Sequence, residues 1–186
     1  MDDLKIPFPQ ADDFEKIIAI LNIANESDLC DDNTLSIALG CVSKRQVDYY
    51  LSASAFLGFV DMKKRHFTDL GNNIRKVDSY MQIVECIAAV LKAPIFAKVF
   101  ALETVVGHQA VEDIASIIQE AYPTYSEALC ARRAQTVLSW VRWIKEKMNI
   151  AFIGGVLKVR TVLTCIEQKM VKRIKKFSIR KTRIIV

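Results

Sequence analysis

The alternation of apolar and polar positions is most regular between Ser43 and Thr68. Apolar or small side chains recur at helical spacing from Val47 to Leu57, and polar and basic side chains occupy the opposite face of the first turns. Ser43 can cap this run, because its hydroxyl can accept a hydrogen bond from a backbone N–H that has no partner within the helix. The pattern predicts an amphipathic helix that starts after Ser43 and ends before Gly58.

Two short apolar stretches follow this helix. Residues 59–62 and 66–68 have the composition of strands, and the tip between them is formed by Lys63, Lys64 and Arg65. The pattern predicts a β-hairpin with a basic tip. A helix with a basic start followed by such a hairpin is typical of a winged helix, in which the helix enters the major groove and the hairpin lies on a phosphate strand.

Two further helical patterns precede this helix. Residues 11–25 place apolar side chains at near-helical spacing, and Asp32 or Asn33 can cap a short helix that runs to Leu39. Gly40 supplies the turn after it. The order of helix, short helix, glycine turn, longer helix and hairpin is that of a winged helix-turn-helix.

The chain from Ser126 onward resembles this arrangement. With an offset of 87 residues, Arg45 aligns with Arg132 and one apolar stripe aligns with another. Residues 150–153 and 156–159 have the pattern of two strands around a glycine pair. A second winged helix explains this repeat economically.

We therefore expect a mainly α-helical fold with two winged helix-turn-helix units in tandem, each with a small β-hairpin wing. The expected domains are a first winged-helix domain at residues 1–77, a second winged-helix domain at residues 78–160, and a basic C-terminal tail at residues 161–186.

Composition supports a globular protein, since 52% of the residues are apolar and 25% are charged. No apolar run approaches the roughly 20 residues that cross a bilayer. The N-terminus is acidic and lacks the apolar core of a secretory signal. The five cysteines are scattered without a CxxC pair, which favours free thiols over disulfides or a zinc site. These features predict a cytoplasmic protein without a membrane partner.

The net charge of +5 is distributed unevenly along the chain. The segment from Lys158 to Val186 carries ten Lys or Arg against one Glu, so the residues before it have a net charge of −4. The basic balance is therefore a property of the tail, and a case for nucleic-acid binding must depend on where individual cations lie.

Base contacts require long polar side chains at the exposed start of a recognition helix, because arginine can bond guanine in a fork and glutamine can bond adenine similarly. Cations on a wing would contact phosphate. The side chains placed for these contacts are Lys44, Arg45, Gln46, Asp48 and Tyr49 in the first helix, Lys63, Lys64 and Arg65 on its wing, and Arg132, Arg133, Gln135 and Thr136 in the second unit. The alternative is a solvated helix face, and winged helices also serve as protein-interaction modules.

Catalytic motifs do not emerge from the sequence. His66 and His108 have no triad context, and no phosphate-binding loop occurs. Glu167 and Lys169 have the spacing of half of a nuclease motif, but no partner Asp strand precedes them. We therefore expect no catalytic residues, metal or cofactor.

The segments KIPFPQADDFEKIIAIL, SKRQVDYYLSASAFLGFV, HFTDLGNNI, APIFAKVF and ARRAQTVLSWVRWI together resemble a bacterial tandem winged-helix region of type II restriction enzymes and related restriction-modification proteins. The resemblance covers about residues 5–160. It implies recognition of double-stranded DNA, usually beside a separate nuclease domain or subunit. We find no nuclease domain in this chain, so the resemblance implies a recognition subunit, a truncated enzyme or a regulator.

Three alternatives remain open at this point. The chain could be a winged-helix transcriptional regulator, in which a homodimer would impose a palindromic site. It could also be a metal-dependent nuclease with an unrecognised site, or an interaction scaffold without a nucleic-acid role.

Overall fold

The computed structural model describes residues 8–40 and 43–153, with side chains as far as residue 148. Within these ranges the chain forms eight α-helices, a single 3-10 turn and a two-stranded antiparallel sheet, which confirms the mainly helical class. The elements are α1 Phe14–Leu21, the 3-10 turn Glu26–Cys30, α2 Asp32–Leu39, α3 Lys44–Phe56, β1 Val60–Asp61, β2 His66–Phe67, α4 Asp69–Arg75, α5 Ser79–Val90, α6 Pro94–Val105, α7 Val111–Ala121 and α8 Glu127–Ile153.

Side-chain caps set several helix starts. Ser43 accepts a hydrogen bond from the Gln46 N–H and begins α3, as its sequence position predicts. The cap of α2 is Asp31, one residue earlier than predicted, because its carboxylate accepts from the Asn33 N–H. Gly40 ends α2 in the left-handed conformation, with φ of 56°, which a glycine adopts without steric cost.

The hairpin follows α3 in the predicted place. Its register pairs Val60 with Phe67 and Asp61 with His66. The Asp61 carboxylate accepts hydrogen bonds from the backbone N–H groups of Lys63 and Lys64 at 2.9 and 3.1 Å, so an aspartate turn shapes the tip. The predicted basic hairpin is therefore present.

The chain divides after Ile144 into two compact units, and the following description concerns the first. Its aromatic core joins the N-terminal segment to α6 and α8. The Phe14 ring lies 4.0 Å from the Trp143 ring and 5.0 Å from the Trp140 ring, and the Phe8 ring stacks on Phe96 at 5.5 Å. The predicted boundary between residues 77 and 78 falls inside this unit.

The first strand predicted for a second wing is wrong. Residues 150–153 belong to the last turn of α8 rather than to a strand. The helical pattern continues without a breaker up to Gly154, so the helix extends through the four apolar residues that were assigned to the strand. The other predicted strand, at 156–159, and the basic tail, at 161–186, lie outside the described residues.

In the part of the chain that the structure covers, no helix has the length and apolar character needed to cross a membrane. Cys30, Cys86 and Cys130 are free. Burial raises the pKa of the Cys86 thiol to about 12, so this thiol stays protonated at neutral pH.

Candidate nucleic-acid interface

The start of α3 and the tip of the hairpin meet at one carboxylate. Asp32, at the start of α2, places one oxygen 2.8 Å from the Lys44 ammonium and the other 3.1 Å from the Arg65 guanidinium. Lys44 and Arg65 are 21 residues apart in sequence, and this shared partner holds them on the same surface. The predicted convergence of these two basic segments is therefore present in the fold.

Arg65 is an anchor of the hairpin rather than a free cation. Besides Asp32, its guanidinium donates to the Leu29 carbonyl at 3.2 Å and pairs with Asp48 at 3.5 Å. The side chain is 24% exposed, and the residue adopts a left-handed φ of 52°. The predicted phosphate contact of Arg65 would have to compete with two carboxylates that already neutralise it. Asp48 was predicted to contact a base, but in the structure its carboxylate pairs with Arg65 and helps to hold the hairpin.

Lys63 and Lys64 are the exposed cations of the tip. Their backbone N–H groups, Lys64 first, hold the pKa of the Asp61 carboxyl below its usual value. Among the described residues neither ammonium is in an ion pair, so both remain available to an anionic partner. The predicted role of these two lysines fits their positions.

Arg45 and Gln46 are exposed on the first turn of α3. The Arg45 Nε donates to the Tyr49 hydroxyl at 2.6 Å, and the guanidinium lies 5.5 Å from the centre of the same ring. This contact between residues four positions apart holds the arginine along the helix surface. Tyr49 is half-buried, so its main role here is to orient Arg45 rather than to contact DNA itself.

The charges of this surface are mixed. The hydrogen bond from Lys44 lowers the pKa of Asp32, and the charge of Arg65 lowers it further. The same bond to Asp32 raises the pKa of Lys44. Asp32 and Asp48 thus offset Lys44 and Arg65. The cations without such an offset are Arg45, Lys63 and Lys64, and we call these three, together with Gln46, the α3–wing face.

The residues predicted for a second recognition helix lie elsewhere. Thr136 is fully buried and donates to Asp12 at 2.7 Å. Arg132 pairs with the same carboxylate at 2.8 Å and bonds the Gln10 carbonyl at 3.0 Å. These two side chains fasten the N-terminal segment to α8. The burial of Thr136 does not fit the groove contact predicted for it. Arg132 stays partly exposed, but it already pairs with Asp12.

The other two predicted residues of this helix differ from each other. Arg133 is only 8% exposed, whereas Gln135 is exposed. The spacing of Arg133, Val137, Trp140 and Ile144 places them on one face of α8, and this face is buried. That apolar stripe was visible in the sequence and was the signal against assigning the start of this helix to a DNA-contacting face.

Among the side chains that the structure describes, no group of three or more His, Cys, Asp or Glu residues could hold a metal ion. His108 lies 3.6 Å from the buried Glu103, and the His66 ring lies 3.0 Å from the Phe67 carbonyl. Both histidines thus have local structural partners.

These observations define a mainly helical protein that carries a small antiparallel hairpin beside a helix with a basic start. The chain belongs to the family described as a domain of unknown function, DUF7226, whose model matches residues 16–149. Comparison with curated proteins and with solved structures found no match.

Proposed function

We propose that this protein binds double-stranded DNA through the α3–wing face, with α1 to β2 acting as a winged helix. The observation that carries the proposal is the Asp32 carboxylate, which joins Lys44 at the start of α3 to Arg65 in the hairpin. Because of that link, the exposed side chains of the helix start and of the hairpin tip lie on one surface.

In this proposal α3 enters the major groove and the hairpin lies along the adjacent backbone. Arg45 and Gln46 have the side-chain types that recognise guanine and adenine edges. Lys63 and Lys64 contact phosphate, which adds affinity without sequence preference. Arg65 keeps the hairpin at a fixed distance from α3 and makes no phosphate contact of its own.

The setting of this activity is also part of the proposal. The resemblance of the segments quoted above supports a recognition role in a restriction-modification system, where a separate domain or subunit would supply the nuclease. The proposal keeps one winged helix of the predicted tandem. It leaves out the second, because Arg132 and Thr136 at the start of α8 bind Asp12 in the N-terminal segment.

The base-contact part of the proposal is tested with Arg45→Ala. A preferred duplex is first selected from a random pool with the purified full chain. Affinity of the variant for that duplex should fall by roughly 1–3 kcal/mol if Arg45 forks a guanine, and discrimination at one base position should relax. Fluorescence anisotropy on the preferred and the substituted duplex measures both effects.

The phosphate-contact part is tested with the double variant Lys63→Ala and Lys64→Ala. Affinity should decrease equally on all duplexes, and the slope of log K against log salt should become shallower by about 0.9 for each phosphate that the variant no longer neutralises. The control is Lys76→Ala with Arg142→Ala, which removes two exposed cations elsewhere in the chain. If the two double variants bind alike and Arg45→Ala keeps full affinity, the proposed function is wrong.

A further inference from the structure

The guanidinium of Arg45 is held at one edge and open at the other. Its Nε donates to the Tyr49 hydroxyl at 2.6 Å, and the guanidinium carbon lies 5.5 Å from the centre of the same ring. An arginine also carries donors on Nη1 and Nη2, and in Arg45 these form no hydrogen bond or ion pair with another residue of the described ranges. The fork between the two terminal nitrogens is therefore available to a ligand.

The geometry of α3 explains this hold. Tyr49 follows Arg45 by four positions, so both lie on the same face of the helix. Helical side chains tilt toward the N-terminus of their helix, which brings the tyrosine back toward the first turn, where Arg45 is exposed. Tyr49 is half-buried and has few side-chain torsions, so it gives the longer arginine a stiff support. Arg45 thus loses rotamer freedom before a ligand arrives, and less entropy is lost on binding.

The partner of Arg45 is neutral, whereas two neighbouring cations have anionic partners. Asp32 pairs with Lys44 at 2.8 Å. Asp48 pairs with Arg65 at 3.5 Å. A hydroxyl orients Arg45 without offsetting its positive charge. Arg45 therefore combines its charge with a fixed orientation, which suits recognition by directional hydrogen bonds.

An arginine fork distinguishes the bases that line the major groove. Guanine presents two acceptors, O6 and N7, which match the two donors of the fork. Adenine presents an acceptor beside an amino donor, cytosine presents an amino donor, and thymine presents a single acceptor beside a methyl group. Base contacts come from the first turns of a recognition helix, and Arg45 lies in the first turn of α3. Guanine is thus the base whose edge satisfies the whole fork.

We propose that Tyr49 is a specificity-determining positioning residue, which holds the Nε edge of Arg45 so that the Nη1–Nη2 fork bonds one guanine. This inference rests on the proposed function, because it requires that α3 enters the major groove of a duplex. Tyr49 contacts no base itself. It selects guanine by limiting the orientations of Arg45, and the preferred duplex contains a guanine at the position that Arg45 reads.

The inference is tested with Tyr49→Phe, which keeps the ring and removes the hydroxyl. A preferred duplex is selected with the wild-type full chain, and the contacted guanine is the one at which Arg45→Ala loses its preference over adenine. Fluorescence anisotropy on the guanine and adenine duplexes should give a wild-type preference of roughly 5- to 150-fold, the range for one bidentate contact. Tyr49→Phe should lower this ratio several-fold and leave the salt slope unchanged, because no phosphate contact is lost.

The matched control is Tyr50→Phe, the same chemical change at the next position of α3. The Tyr50 ring lies 5.3 Å from the Lys16 ammonium of α1 instead of against Arg45, so this variant should keep the wild-type ratio. In an Arg45→Ala background, Tyr49→Phe should have no further effect on the ratio, since the two residues act as one unit. A hydroxyl with a merely structural role would lower the affinity for both duplexes equally.

A modified base tests the fork without changing Tyr49, in case that variant fails to fold. Replacing the contacted guanine by 7-deazaguanine removes the N7 acceptor, so wild-type affinity should fall several-fold. Arg45→Lys keeps the charge but loses the fork, and it should bind the guanine and 7-deazaguanine duplexes alike.

The outcomes separate this inference from the proposed function. A wild-type chain that binds no duplex overturns both. An unchanged guanine preference in Tyr49→Phe, or equal wild-type binding of the guanine and 7-deazaguanine duplexes, overturns the inference and leaves DNA binding in place. So does a loss in Arg45→Ala that is equal on every duplex and comes with a shallower salt slope, because it assigns Arg45 to a phosphate.

Discussion

Single residues decide how closely α4 can approach the hairpin. Gly71 is buried in the first turns of α4, and a Cβ at this position would overlap the carbonyl oxygen of Phe59. That carbonyl also accepts the Thr68 N–H at 3.0 Å, where Thr68 caps α4. The glycine therefore allows α4 to start directly against the backbone of Phe59, the residue before β1.

We expect Gly71→Ala to destabilise the protein by about 1–3 kcal/mol, because a methyl group must displace backbone rather than a flexible side chain. Urea unfolding measures the change. Asn73→Ala is the control, since Asn73 is exposed on the same helix and alanine is the better helix former there. A Gly71→Ala protein as stable as wild type would show that α4 can retreat from Phe59 at no cost.

Arg65 combines an unusual backbone conformation with several side-chain partners. Asparagine tolerates the left-handed region, so Arg65→Asn removes the guanidinium with little added backbone strain. We expect a loss of about 1–2 kcal/mol, since Asp32 and Asp48 lose a partly buried partner.

The loss in Arg65→Asn should shrink at high salt, which screens the ion pairs in the wild type. Lys64→Asn removes an exposed cation of the same tip and should stay within about 0.5 kcal/mol of wild type. Chemical denaturation at low and high salt measures both variants. Equal stabilities of the two would remove Arg65 from its role as the hairpin anchor.

At the scale of elements, local signals predicted the segment from α1 to β2 well. The Ser43 cap, the glycine turn at Gly40 and the basic tip of the hairpin each depend on neighbours within a few residues, and all three occur in the structure. The bond between Asp32 and Arg65 spans 33 positions, so no periodicity could reveal it.

The segment that the sequence predicts as a second winged helix was harder to predict because its signals compete. Residues 150–153 are apolar and include β-branched side chains, which suits a strand, yet they directly continue a long helix. Likewise Arg132 and Thr136 align with recognition-helix positions, but their partner Asp12 is more than 100 residues away in sequence. The apolar stripe of α8 indicates a buried face from the sequence alone, but only the folded chain shows that Asp12 binds Arg132 and Thr136.

The ion pair between α2 and α3 predicts a pH dependence of stability. The pKa of Asp32 lies below its ordinary value, chiefly because of the hydrogen bond from Lys44. A carboxyl whose pKa is lower in the folded state stabilises the protein above its unfolded pKa of about 3.9, and this contribution disappears as the pH falls through the folded-state pKa.

We therefore expect Asp32→Asn to show a flatter loss of stability than wild type between about pH 5 and pH 3. Denaturant unfolding at a series of pH values in that window measures the difference. Asp113→Asn serves as the control, because Asp113 is exposed on α7. Parallel pH curves for wild type and Asp32→Asn would contradict the role of this carboxylate.

At the scale of the whole first unit, residues 11–15 near the N-terminus pack against α8, more than 100 residues later in the sequence. The Trp140 Nε1 donates to the Ala11 carbonyl at 2.6 Å, and the Trp143 Nε1 donates to Glu15 at 2.9 Å. The Phe14 ring packs against both indoles. These contacts cross the predicted boundary at residues 77 and 78, which predicts that both sides unfold together.

The two tryptophans make this prediction measurable, because both lie after residue 78 and neither lies in α3. Leu51 is fully buried in α3, and Leu51→Ala should cost about 2–5 kcal/mol. If the unit is cooperative, the denaturation midpoint by tryptophan fluorescence falls as far as the midpoint by far-UV circular dichroism.

The control for this experiment is Ile37→Ala, which changes a residue that is 84% exposed on α2 in the same sequence half. Its midpoint should stay near the wild-type value by both probes, because no packed side chain is removed. Two independent domains would give a different result for Leu51→Ala, since the dichroism would change while the tryptophan midpoint stayed fixed. That outcome would restore the boundary at residue 77 and would mean that the packing of Phe14 on the indoles carries little coupling energy. Coincident midpoints would instead make the segment from α1 to β2 and residues 127–144 of α8 parts of one folding unit.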